Sequence, residues 1–137
     1  MSMIWTPQLA TGVRQIDLQH QELFELINEL DAANAAGNKR DALADVLPRL
    51  GAYVLFHFGT EEAMLSQLSS DRAQQHRQHH QQQHAEFSER VAQLREQPPD
   101  EIDLTAFVAY LQRWLTQHIM KTDLELGRLL LERPSIG

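Results

Sequence analysis

Hydrophobic residues recur along the chain at helical spacing, in four long segments separated by short stretches that contain helix breakers. This periodicity predicts four helices, over about 17–36, 39–68, 71–97 and 103–133. No segment has the alternation of apolar and polar residues that is typical of a strand. The residues before the first helix, 1–16, are predicted to form an N-terminal arm that Trp5 holds against the body.

The links between the predicted helices are short, so consecutive helices are expected to run antiparallel. We therefore predict an all-α fold, an up-down-up-down four-helix bundle that forms one domain over residues 1–137. Asn38 and Asp103 are predicted to cap the second and fourth helices. Pro48 removes one helical hydrogen bond and Gly51 weakens the next turn, which predicts a kink or a later start in the second helix.

Polar residues fall on the apolar faces of these helices at His20, His57, Glu61 and His118. A buried ionisable group needs an ion pair, a hydrogen bond or a metal. Any one of them alone is more simply interpreted as a satisfied polar group of the core. Together with a histidine pair in the third segment, however, every helix contributes such a residue to one shared interior, which favours a metal site.

The spacing of these residues supports that interpretation. His57 and Glu61 are four residues apart and therefore lie on one helix face, close enough to serve one metal centre. His80 and His84 repeat this spacing. Asp123 follows His118 by five residues, a rotation of about 140° on a regular helix. From spacing alone, Asp123 joins the site only if the helix is locally distorted.

The amino-acid composition limits which metal ligands and which binding partners are possible. The chain has no cysteine, which excludes disulfides and thiolate ligands, so a metal would be held by His and carboxylate. A formal net charge of −7 without a basic stripe argues against nucleic-acid binding. The chain contains no run of about 18 apolar residues, so no membrane span is expected. The N-terminus does not read as a secretory signal, and we expect a cytoplasmic protein.

Four stretches resemble the hemerythrin family, and in particular the bacterial hemerythrins. They are GVRQIDLQH (12–20), HFGTEEAM (57–64), HQQQHAEFSERVAQL (80–94) and WLTQHIMKTD (114–123). The resemblance implies a non-haem di-iron centre that binds O₂ reversibly. The residues that match the family's seven ligands are His20, His57, Glu61, His80, His84, His118 and Asp123.

By the same resemblance, one iron would take His80, His84 and His118, and the other would take His20 and His57. The two carboxylates and an oxo or hydroxo group would bridge the irons. Five His bonds, four carboxylate bonds and two from the bridging oxygen make eleven, so two octahedral irons keep one open position for O₂. The positions that match the family's apolar O₂ pocket are Leu23, Phe58, Leu115 and Ile119.

Two histidine pairs compete within the third helix. The family's usual interval from the preceding HxxxE motif favours His76 and His80. The family pattern HxxF, continued by apolar residues, favours His80 and His84, because Phe87 lies three residues after His84. A length change in a link is tolerated better than a slip within a packed helix, so we predict His80 and His84.

The resulting hypothesis is a non-enzymatic O₂-binding protein for storage, delivery or sensing, with an unidentified protein as a potential acceptor of O₂. One alternative is a di-iron oxidase or peroxidase, although such sites usually contain four or more carboxylates and Glu-x-x-His motifs. Another is a metal-buffering bundle that binds through the His-rich tract, in which His20 and His118 would contribute nothing.

Overall fold

The computed structural model describes residues 3–131, and its helices follow the four segments expected from the sequence. The second and fourth rods each contain a π-helical turn within otherwise regular helix. The rods are α1 (Arg14–Ala35), α2 (Lys39–Asp41, the π turn Ala42–Val46 and Leu47–Leu65), α3 (Asp71–Glu96) and α4 (Leu104–Gln117, the π turn His118–Asp123 and Leu124–Leu131). Residues 3–131 contain no strand, which agrees with the all-α prediction.

The ends of the rods are set by local sequence. Gly37 ends α1 with a φ of +79°, a conformation that glycine adopts without strain. Ser70 and Asp103 cap α3 and α4, because their side-chain oxygens accept hydrogen bonds from backbone N–H groups in the first turn. The predicted cap at Asn38 is wrong, since its side chain makes no capping bond to α2.

Helix α1 starts at Arg14, three residues earlier than predicted, and α2 ends at Leu65 rather than 68. The last predicted helical residues, 132–133, lie outside the described residues.

The π turn of α2 accommodates Pro48. The predicted kink or later start is replaced by a helix that begins at Lys39 and widens over Ala42–Val46. Within this turn the Leu47 N–H bonds the carbonyl of Ala42, five residues earlier. Pro48 has no N–H to donate to the preceding turn, and a local i→i+5 pattern is one way to keep the rod continuous around it.

The four rods form a four-helix bundle, in which α1 contacts α2 and α4, and α2 also contacts α3. Their inner faces bury a large apolar core and a second, smaller apolar cluster, which consists of Ile16, Leu65, Leu126 and Leu130. Trp5 packs against that core, as predicted for the N-terminal arm. The arm is also tied to α1, because the N–H and hydroxyl of Thr11 both donate to the Asp17 carboxylate. No helix within residues 3–131 is long and apolar enough to cross a membrane.

Candidate metal centre

Six polar side chains from all four helices meet in the middle of the bundle, surrounded by the apolar core. Each side chain is at most 1% exposed. The six are His20, His57, Glu61, His80, His118 and Asp123. In five of them, all except His80, one donor atom of each lies within 4.8 Å of the others. The metal-buffering alternative expected no part for His20 and His118, whereas both are members of this cluster.

The Glu61 carboxylate is the contact point of three imidazoles. Its Oε1 atom lies 2.8 Å from Nε2 of His80, 3.1 Å from Nε2 of His57 and 3.2 Å from Nε2 of His118. These histidines come from α2, α3 and α4, so Glu61 touches members of both ligand sets implied by the family resemblance.

The Asp123 carboxylate plays the same part on the other side. Its Oδ2 atom lies 2.5 Å from Nε2 of His20, 2.9 Å from Nε2 of His118 and 3.4 Å from Nε2 of His57. These two carboxylate oxygens are thus in contact with the Nε2 atoms of four histidines. All four rings point the same nitrogen, Nε2, into the cluster.

Asp123 reaches the cluster because α4 is distorted where it carries the ligands. His118–Asp123 forms a π turn, and the Leu124 N–H bonds the carbonyl of Ile119 five residues earlier. This wider turn brings residues five apart onto one face, which a regular helix would rotate away from each other. The local distortion that the five-residue spacing required is therefore present.

Two glutamines that the sequence analysis did not single out hold two of the imidazoles. His57 Nδ1 donates to the Gln19 side-chain oxygen at 2.8 Å, and the Gln19 amide donates to the Thr60 hydroxyl at 3.2 Å. The Thr60 hydroxyl in turn donates to the backbone carbonyl of Phe56. Because Nδ1 carries the proton, Nε2 of His57 is the nitrogen available to a metal.

The same arrangement occurs on the other side of the cluster. His118 Nδ1 donates to the Gln83 oxygen at 3.1 Å, and the Gln83 amide donates to the Thr122 hydroxyl at 3.0 Å. Gln83 lies in the HQQQH stretch and therefore looked like part of a solvated tract. Its partner Thr122 is buried and lies four residues after His118. A polar residue at that position on the apolar stripe of the fourth helix was the signal in the sequence that could have indicated this contact.

The charges of the cluster are strongly coupled. Burial would lower the pKa of His57 and of His118, but the carboxylates of Glu61 and Asp123 outweigh it and raise these pKa values to about 9 and about 10. Burial also opposes ionisation of Asp123, but the charge of His118 and the hydrogen bonds from the imidazoles of His118 and His20 help to outweigh it, and the pKa of that carboxyl lies well below its ordinary value. In the chain without metal, protons on the imidazoles supply the positive charge that the carboxylates need.

The cluster fits a bound cation better than it fits protons alone. Glu61 Oε2 and Asp123 Oδ1 are buried, and neither has a hydrogen-bond partner among residues 3–131. Unpaired buried carboxylate oxygens are strongly unfavourable unless a cation neutralises them. Imidazole nitrogens and carboxylate oxygens are a donor set that suits iron, zinc and other first-row divalent metals.

An apolar wall closes the cluster. The four predicted pocket residues, Leu23, Phe58, Leu115 and Ile119, are all fully buried. Phe58 meets the rings of His80 and His118 edge-on, at centroid distances of 4.9 and 5.3 Å. None of these four side chains is exposed to bulk solvent.

The second histidine of the predicted pair lies apart from the cluster. The His84 ring stacks on Phe58 at 4.7 Å, and its Nδ1 lies 3.2 Å from Oε1 of Glu62. The competing residue His76 has a buried Nε2 with no hydrogen-bond partner in the described part of the chain. Burial and the nearby His80 lower the pKa of His76, which favours its neutral form. His80 is in contact with Glu61, whereas the assignment of His84 stays a prediction.

Comparison with known proteins agrees with this geometry. Residues 11–130 match the family model described as the hemerythrin HHE cation binding domain. The chain belongs to the hemerythrin family. It is 33% identical to bacteriohemerythrin of Pseudomonas aeruginosa (strain LESB58) over 127 residues, which cover 88% of this chain and 76% of that protein. Bacteriohemerythrin of Clostridium acetobutylicum is 26% identical over 131 residues, covering 89% and 96%.

The likeness extends beyond bacteria. A hemerythrin-like protein of Naegleria gruberi is 25% identical over 121 residues, covering 88% of this chain and 87% of that protein. Membership in the hemerythrin family and the buried His, Glu and Asp cluster together establish a candidate metal centre inside a helical bundle.

Proposed function

We propose that this chain binds O₂ reversibly at a non-haem di-iron centre held by the buried cluster. The observation that carries the proposal is the convergence of four Nε2 atoms on two buried carboxylates that each keep an oxygen unpaired within the described chain. When bound, two ferrous ions supply the electrons with which O₂ is held and recover them when it leaves.

The contacts support the division of ligands expected from the family. His20 and His57 would hold one iron, and His80 and His118 the other, together with a third histidine. Each carboxylate already touches imidazoles of both sets, as a bridging ligand must. An oxo or hydroxo group would complete the bridge.

The third histidine of the second iron is proposed to be His84. Phe87, three residues later, is buried against Trp114 at 4.7 Å and Phe58 at 6.4 Å, which supports the HxxF register from which His84 was chosen. To bind the iron, His84 would turn from Glu62 toward the cluster. His76 is the alternative, because its buried Nε2 lacks a hydrogen bond within residues 3–131.

The surroundings favour reversible binding over catalysis. The cluster offers two carboxylates, whereas di-iron oxidases usually use four or more. Leu23, Leu115 and Ile119 are buried and would keep water from the open position, and a dry site would slow the autoxidation that leaves the irons oxidised and unable to bind O₂. Roles in O₂ storage, delivery or sensing, a cytoplasmic location and a protein acceptor of O₂ stay predictions.

The test is an ultraviolet–visible spectrum of the purified, iron-loaded protein, first reduced and then exposed to air. Reversible binding is expected to produce charge-transfer bands that disappear when O₂ is removed and return with it. A featureless spectrum at full iron occupancy would contradict the proposal. In the presence of a reductant, continuing O₂ consumption by the same sample would favour the oxidase alternative.

A further inference from the structure

The outer face of α2, away from the metal centre, is apolar over about three turns. The sequence between Arg49 and Glu61 contains no Asp, Glu, Lys or Arg. Two large side chains on this face, Leu55 and Phe56, are 46% and 57% exposed. The exposed residues around them are small, and they are Ala52, Gly59 and Ala63. Because residues three and four apart are neighbours on a helix, these five form one exposed apolar patch, which is typical of an interaction surface.

Two glycines of α2 indicate that something approaches this helix closely from outside. Gly51 and Gly59 lie inside the helix, where alanine is more favourable because glycine loses more conformational freedom on folding. A Cβ atom added at either position would meet no neighbouring segment of residues 3–131 within 4 Å. Packing within the described chain therefore requires neither glycine. Small residues on a helix face do, however, let a second helix pack at a short distance.

A groove of about 510 Å³ runs along this face between α2 and α3. Its walls include Gly51, Ala52 and Leu55 on α2, and Ser88, Ala92 and Arg95 on α3. A cavity of about 150 Å³ is enough to hold a benzene ring, so the groove has room for an aromatic side chain. Within residues 3–131, Arg95 is the only charged residue in the lining, and a guanidinium interacts favourably with the face of an aromatic ring.

We propose that this face is the interface of a reversible homodimer, in which Phe56 of each copy enters the groove of the other. Phe56 follows the groove residue Leu55 but does not line the groove of its own chain. Two features of one face are exchanged by a two-fold axis that lies in the face and passes midway between them. A single rotation therefore forms both contacts, so a second copy fits this face better than an unrelated partner with one aromatic residue.

The charge of the face permits a second copy to bind. The chain has a formal net charge of −7, so two copies repel one another unless the surfaces that meet carry little charge. Residues 50–60 provide such a surface, because they contain no acidic or basic residue apart from His57, which is buried.

The size of the face sets the expected strength of the dimer. The sixteen residues from Pro48 to Ala63 form about 24 Å of helix, and two adjacent helices are about 20 Å wide. Contact over this face buries about 500 Å² per copy, or about 1,000 Å² in total, which is near the lower limit for a specific interface. The dimer is therefore expected to be weak and to form only at high protein concentration.

The test is sedimentation equilibrium of the full, iron-loaded chain between about 10 μM and about 1 mM. The average mass of the wild type is expected to rise from 15.8 kDa toward twice that value. Phe56→Ala should raise the dissociation constant about ten-fold or more, because it removes the side chain that fills the groove. Leu18→Ala, which removes a 53% exposed leucine from α1, is the control and should associate as the wild type does.

A mixture of two variants tests the exchange of Phe56 directly. Ala92→Leu narrows the groove but keeps Phe56, whereas Phe56→Ala keeps the groove. Both residues are exposed, so neither change disturbs the core. Each variant alone can form neither contact, but a mixed dimer recovers one of the two. The mixture should therefore associate more strongly than either variant alone.

Three results would overturn the proposal. A wild type that stays at 15.8 kDa up to about 1 mM would exclude the homodimer and point to a different protein as the occupant of the face. Association of Phe56→Ala equal to that of the wild type would exclude Phe56 as the contact. A mixture that associates no more than its components would exclude the exchange between grooves. None of these results bears on O₂ binding, which the absorption spectrum tests separately.

Discussion

The two halves of the metal centre differ in how firmly their histidines are held. On the α1–α2 side, His20 and His57 are fully buried and point at carboxylates, and Gln19 locks the ring of His57. On the α3–α4 side, His80 and His118 are equally buried, but His84 lies outside at Glu62. α1 and α2 each contain a single histidine, whereas the His-rich tract of α3 contains four, which is more than the second half needs.

This difference shows how a helix face limits ligand choice. In α1 and α2, buried apolar residues lie about one turn before and after the ligands, so only one register buries the core; they are Ile16 and Leu23 in α1 and Val54 and Leu65 in α2. In α3, glutamines and histidines occupy most positions over residues 74–84, and apolar anchors return only at Phe87 and Val91. Register is then fixed by the later anchors, and the conformations of the histidines before them are less constrained.

The largest expected effect is on iron content, and it comes from His84, the histidine that lies outside the cluster. We expect His84→Ala to lose most of one iron per chain, because the second iron would keep only two histidines, whereas His76→Ala should keep both irons. Iron content after reconstitution and desalting measures this. The opposite result would identify His76 as the ligand and show that the interval from HxxxE outranks the HxxF pattern.

The glutamines sharpen the comparison between the halves. Gln19→Leu should weaken metal binding by about 10- to 100-fold, because His57 loses the acceptor that fixes its ring and tautomer. Gln83→Leu should weaken binding less, since Gln83 is only partly buried and water can replace its oxygen. Competition with a chromogenic chelator gives both affinities. Equal effects would mean that burial of the amide is not what distinguishes the halves.

The apolar wall is predicted to control how long O₂ stays bound. Leu115→Ala should shorten the lifetime of the oxygenated form by about ten-fold, because the cavity admits water to the site. Leu111→Ala, one turn earlier on the same face and equally buried, is the control and should leave the lifetime nearly unchanged. Decay of the oxygenated spectrum reports it, and similar decay in both variants would contradict a guarding role for Leu115.

The smallest expected effect is in how the stability of the metal-free chain depends on pH. His57 and His118 have raised pKa values, so their contribution to stability is complete below their ordinary value of 6.5 and is lost as the pH rises through about 9 to 10. Glu61 and Asp123 have lowered pKa values, so theirs is present above 4.5 and is lost in acid. The melting temperature of the metal-free chain should therefore be highest between about pH 4.5 and 6.5.

Bound metal should move this optimum upward, because it binds imidazole in its neutral form and replaces the protons. A melting temperature of the metal-free chain that rises between pH 6.5 and 10 would show that the imidazoles do not carry the charge assigned to them.

Much of the site was predictable because its ligands interrupt an apolar pattern. His20, His57, Glu61 and His118 stood out as polar residues on buried stripes, and the structure buries all four. Asp123 was reached only through the family resemblance, since regular helical spacing rotates it away from His118. Gln19, Gln83 and Glu62 were missed, because a glutamine or a second glutamate beside a ligand has the same sequence signature as a solvated surface residue.

The amino-acid sequence by itself determined the four helices, the faces that they bury and the chemical types of the ligands, because helical periodicity and the penalty for burying charge are local properties of the chain. Only the tertiary structure decided which nitrogen of each ring points inward, that α4 opens into a π turn to bring Asp123 to His118, and that His84 lies against Glu62. Those outcomes depend on contacts between residues that are 22 to 103 positions apart in the chain and meet only once the helices have packed.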